Sequence, residues 1–228
     1  MKHLLNAALI IMVCFISQGN ADVDFEAREN LLVFVGSAQN YEDIPCETDD
    51  SSDATQALFV CFDAQVETVF TVEDVIFGEY ESPEITVTSF DHYGRFPFLV
   101  AEYSLMFVTE TDGGYVQHKY QFDEVYRVKD GGWAGCGPSP IDTSRYEGVE
   151  VMDPQPIEFE SPVTIDLSMY TTEAGYDEQS KSRLLEWYSQ PSFSLDGDIV
   201  TCHMGLYVDD LFKLRDETIL EARRRHQN

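Results

Sequence analysis

The stretch LFVCFDAQVETVFTVEDVIF, residues 58–77 and closed by Gly78, reads as β-structure. Val66, Thr68, Phe70 and Val72 share one face by period two, with Glu67 and Thr71 on the other. Residues 75–77 resume the apolar run past Glu73-Asp74, a pair that predicts a β-bulge. Before this stretch, LLVFVG at 31–36 is a continuous apolar run ended by glycine, the pattern of a buried strand. The segment between them, 41–56, is polar and carries Glu47, Asp49, Asp50 and Asp53. It lacks the ligand alternation and turn glycine of a calcium loop, so it reads as a solvated loop.

The same rhythm continues after Gly78. Ser82-Pro83 turns the chain, EITVTSF at 84–90 alternates, and LVAEYSLMFVT at 99–109 is a fourth strand. Asp112-Gly113-Gly114 predicts a hairpin into 115–120, and 125–129 closes the set before Asp130-Gly131-Gly132. The expectation is a mainly β protein: a five-stranded antiparallel barrel over 22–136, then an extension over 137–228. The extension begins with an irregular segment between Gly137-Pro138-Ser139-Pro140 and Asp153-Pro154-Gln155-Pro156. A strand is expected at 163–167 and helices at 177–189 and 207–225. In the second helix Val208, Leu211, Phe212, Arg215, Ile219 and Ala222 trace a stripe, with Leu214 and Leu220 beside it. Asp209 and Asp210 in its first turn and Arg223, Arg224 and Arg225 in its last match the helix dipole.

Residues 1–21 have the layout of a secretory signal peptide. Lys2 and His3 precede an apolar run at 4–16 that is too short to span a bilayer, and a small-residue region ends at Ala21. The expected location is therefore secreted or periplasmic, with no membrane span after leader removal. Cys14 would leave with the leader, and Cys46, Cys61, Cys136 and Cys202 would remain in an oxidising compartment. Three connectivities are possible; the favoured one joins Cys46 to Cys61 and Cys136 to Cys202. The chain has 42 Asp and Glu against 14 Lys and Arg, a net charge of −28. Such a surface repels nucleic acid and attracts cations, so a basic partner is possible and a nucleic-acid partner is not expected. The basic tail is expected to dock back onto the acidic body.

The order VFVG (33–36), then Val72, Val75 and Gly78, then Ile85 and Val87, then 103–107 resembles netrin-like or tissue-inhibitor-of-metalloproteinase-like modules. That resemblance implies an OB barrel over about 30–135 in what looks like a secreted bacterial protein. Inhibition in that group depends on an N-terminal cysteine that chelates zinc. The processed chain would begin at Asp22, so the resemblance carries a fold and not that activity.

The densest polar-aromatic cluster is Asp91-His92-Tyr93-Gly94-Arg95, directly after a predicted strand. Asp91, His92, Tyr93 and Arg95 are the candidate ligand-binding residues. If neighbouring strands bring His118 close, His92 and His118 with Asp91 would offer a two-histidine, one-carboxylate metal site. The alternative is a turn in which Asp91 caps backbone N–H groups, Gly94 takes a left-handed conformation and His92 bonds locally. No nucleophile elbow is present, and acid pairs carry no information where acids are this common. The expected function is binding of an unknown protein or small-molecule ligand through barrel-face loops, with no cofactor and no catalytic residues assigned. A metal-binding protein or metal-dependent hydrolase using His92 and His118 is the alternative.

Overall fold

The computed structural model describes residues 30–45, 62–139, 141–168, 177–188 and 191–227. The expected leader, Cys46, Cys61 and most of the acidic loop at 41–56 lie outside the described residues. Five strands carry the first part: β1 (Leu31–Ile44), β2 (Ala64–Phe77), β3 (Glu84–Asp91), β4 (Ser104–Thr111) and β5 (Gly114–Glu124). They pair in the closed order β1-β2-β3-β5-β4, with β4 returning to β1. An all-antiparallel barrel was expected, and the sheet is instead mixed. Val87 and Thr88 of β3 pair in parallel with Tyr115 and Val116 of β5. The reason is parity: a closed ring with an odd number of strands cannot alternate direction at every seam.

Other expectations need correcting. Gly36 does not end β1, which runs on to Ile44 alongside β2. A Cβ there would lie 2.8 Å from both a Phe34 ring carbon and the Thr71 carbonyl oxygen, so glycine marks a close approach inside a bulged strand. The fourth strand starts at Ser104 rather than near 99, because Pro97–Leu99 forms a 3-10 turn. The segment 125–129 leaves the barrel. Its β6 (Tyr126–Arg127) joins β7 (Trp133–Cys136), β12 (Met204–Tyr207) and β8 (Gln155–Pro156) in a second sheet, ordered β6-β7-β12-β8. A third sheet has the order β10-β11-β9, from β9 (Thr164–Asp166), β10 (Phe193–Asp196) and β11 (Ile199–Cys202). The bulge expected near Glu73-Asp74 is present, with register shifts along the last turns of β2.

Both expected helices form. Helix α1 (Glu178–Trp187) is capped by Asp177, whose carboxylate accepts from the Ser180 N–H at 2.7 Å. The second is α2 (Val208–Arg215), a π-helical turn at Asp216–Leu220, and α3 (Glu221–Gln227). Among the described residues no helix is long and apolar enough to cross a membrane.

Burial explains the apolar runs. In β1, Leu32 and Phe34 point into the barrel against Val66, Phe70, Ile85, Val87, Phe98 and Met106. Leu31, Val33 and Val35 point outward with Leu105 and Phe107, under Trp133, Leu206, Val208, Leu211 and Leu220. The two faces of residues 31–36 of β1 and of most of β4 are thus both dry, and their sequences there are continuous rather than alternating. A third core gathers Val128, Phe159, Val163, Leu167, Phe193 and Val200. Beside it the expected Cys136–Cys202 disulfide joins β7 to β11. Strands β7 and β12 approach so closely that a Cβ on Gly205 would stand 1.9 Å from the Gly135 carbonyl oxygen.

Candidate ligand-binding site

The turn after β3 has the local geometry that Asp91-His92-Tyr93-Gly94-Arg95 allows. One carboxylate oxygen of Asp91 accepts from the backbone N–H of Tyr93 at 2.6 Å and of Arg95 at 3.1 Å. Gly94 takes φ +64° and donates its N–H to the Asp91 carbonyl at 3.3 Å. The His92 ring is exposed. Its Nδ1 lies 2.7 Å from the Phe62 carbonyl oxygen, an acceptor only, so Nδ1 carries the proton. Its backbone N–H donates to the Tyr120 hydroxyl at 3.4 Å.

Opposite this turn, β5 is deformed. Met106 pairs with Phe122 and Val108 with Gln117, so residues 118–121 all stand against Phe107. Within that bulge Tyr120 has φ 66°, the sole positive value for a non-glycine among the described residues. The bulge is tied on both sides. Lys119 pairs with Asp63 at 2.6 Å and lies 5.2 Å from the Tyr120 ring centre. Arg215 of α2 grips Asp123 with two nitrogens and donates to the Gln121 side chain at 2.7 Å and the Phe122 carbonyl at 2.9 Å. Burial pushes the Asp123 carboxyl up against the opposing pull of that guanidinium. Arg223 donates to the Lys119 carbonyl at 2.9 Å, so the expected return of the basic tail to the acidic body is realised on β5.

Between the turn and the bulge lies a pocket of about 330 Å³. Six rings line it, from Phe90, Tyr93, Phe96, Phe98, Tyr120 and Phe122, together with Asp91, Arg95, Pro97 and Gln117. Phe98 meets Phe96 and Phe122 edge to face, at 5.8 and 5.9 Å between centres. Tyr93 is 77% exposed at the rim, whereas Asp91 is 7% exposed in the wall. Three of the four candidate residues, Asp91, Tyr93 and Arg95, therefore line one cavity, and His92 stands outside it. Gln117 and the phenylalanines had no distinct signal in the sequence beyond the aromatic density of Phe96-Pro97-Phe98.

His118 goes elsewhere. It is on the outer face of the barrel, buried, with Nε2 2.7 Å from the Thr109 hydroxyl. Burial, and then the nearby Arg223 and Arg224, hold its ring down to about 4 from the usual 6.5. The structure does not bring it together with His92 and Asp91. Among the described residues no group of three His, Cys, Asp or Glu side chains is placed to hold a metal ion. His203 lies beside the disulfide and 2.6 Å from the Ser194 hydroxyl.

A second cleft of about 240 Å³, lined by Glu102, Tyr103, Tyr126, Arg127 and Glu160 among others, is polar. Its cation is already engaged: Arg127 pairs with Glu73 at 2.6 Å and stacks on Trp133 at 4.3 Å. Known protein families, curated proteins and solved structures were all compared with this chain, and none matches it.

Proposed function

We propose that this chain is an exported binding protein on an OB-type barrel, which takes a small ligand or a partner's side chain in the aromatic pocket beside Asp91. The observation that carries the reading is the six-ring pocket, kept open between a capped turn and a strained bulge. A carbon-lined concavity with few polar groups is the usual form of a ligand site. Strain at a single tyrosine is also typical of binding positions. The ring order β1-β2-β3-β5-β4 supports the OB assignment. The signal-peptide pattern and the Cys136–Cys202 bridge support export. The net charge of −28 argues against a nucleic-acid ligand.

The test is amide-resolved NMR of the labelled protein against a fragment library. Hits should shift the amides of Tyr93, Arg95 and Tyr120, and Tyr93→Ala with Phe96→Ala should weaken them at least tenfold. Hits that cluster in the Arg127 cleft, or that ignore both substitutions, would remove the proposal.

A further inference from the structure

We infer that the group taken by this pocket is an organic cation, an alkylated ammonium, held on the ring faces and opposite the Asp91 carboxylate. The inference rests on the binding reading above and adds the chemical class. Six aromatic rings line a small concavity, and quaternary ammonium groups are the ligands that aromatic cages suit best.

Two charged side chains, Asp91 and Arg95, line the cavity, and a third, Lys119, lies beside its Tyr120; their placement decides its sign. Lys119 is neutralised by Asp63 at 2.6 Å. Arg95 lines the pocket, but its side chain is exposed at the rim, where water and salt screen it. Asp91 is 7% exposed, and its carboxylate is fixed by the Tyr93 and Arg95 amides. A buried charge acts through an effective dielectric several-fold below that of water, so the carboxylate outweighs the guanidinium. The field of the whole molecule has the same sign: 42 acids against 14 bases concentrate cations at its surface. The ammonium group could come from a free small molecule or from a modified lysine on a basic protein, and the chemistry of capture is the same.

A matched set of probes tests this on the intact, disulfide-bonded protein, by NMR titration of the Tyr93, Arg95 and Tyr120 amides at fixed salt. The set is choline, its neutral carbon analogue 3,3-dimethylbutan-1-ol, the anion 3,3-dimethylbutanoate, and a short basic peptide carrying trimethyllysine. Choline or the peptide should bind at least about tenfold more tightly than the neutral analogue, and the anion most weakly. Asp91→Asn keeps the oxygen acceptor for both amides and removes the charge, so it should erase the preference for cations. Arg95→Gln, at an exposed side chain, should strengthen cation binding a few-fold. A peptide at least tenfold tighter than choline marks the protein source, and the reverse marks the free molecule; both support the cation. Equal binding of the neutral analogue, or tighter binding of the anion, overturns the cation and leaves the pocket as a site. No shift with these probes, while library fragments still shift the same amides, does the same. No shift with either set overturns both readings.

Discussion

His118 carries the clearest consequence of burying a titratable ring. Its neighbours are Thr109, which shares a hydrogen bond with Nε2, and Arg223 and Arg224 of α3, which oppose a positive charge. Above pH 6.5 the ring is neutral in folded and unfolded chains alike and changes nothing. Between pH 6.5 and about 4 the unfolded chain takes up a proton that the folded chain refuses, so stability falls as pH drops through that window. The full loss is roughly 3 kcal/mol. His118→Gln should flatten that part of the curve, read as the difference between the two proteins' urea midpoints at pH 7 and pH 4.5. Comparing the two cancels the many carboxylates that titrate nearby. In the sequence, the Asp91–Arg95 turn was legible because Asp and Gly have strong local preferences. His118 was misleading because the residue that shares the cavity is its neighbour Gln117. Strand alternation sends adjacent side chains to opposite faces, and which face is which depends on the partner strand.

Strands and helices were legible wherever a repeat persists. The alternation of β2 and β3 and the stripe at 207–225 both predicted the elements found. What periodicity could not show was connection: that β1 continues past Gly36, that 125–129 leaves the barrel, and that the last seam is parallel. The π turn was equally hidden. There the Thr218 hydroxyl donates to the Leu214 carbonyl, an added bond inside the helical ladder. The turn follows Arg215, whose side chain is 6% exposed and clasps an Asp123 side chain that is 10% exposed. Arg215→Ala should lower stability by about 3–5 kcal/mol in denaturant unfolding, since it strands a buried carboxylate. The pair Arg215→Met with Asp123→Leu should restore most of that loss. If the double variant is as unstable as the single, the contact is packing and not an ion pair.

For the molecule as a whole, the Cys136–Cys202 bridge spans 66 residues of sequence. Loop-closure entropy gives such a crosslink about 4 kcal/mol. Reducing it, or replacing both cysteines with serine, should lower the unfolding midpoint by a corresponding amount in calorimetry. The loss should be smaller where the β7–β12 pairing persists in the unfolded ensemble. The cover over the outer faces of β1 and β4 has a further consequence for biogenesis. It is supplied by Leu206, Val208, Leu211 and Leu220, and all the barrel strands are synthesised before any of these. Until the end of the chain is made, Leu31, Val33, Val35, Leu105 and Phe107 are therefore sticky staves with only Val125 and Trp133 of their buried cover against them. How soon residues 206–220 are made and docked therefore sets how long those faces stay open to aggregation.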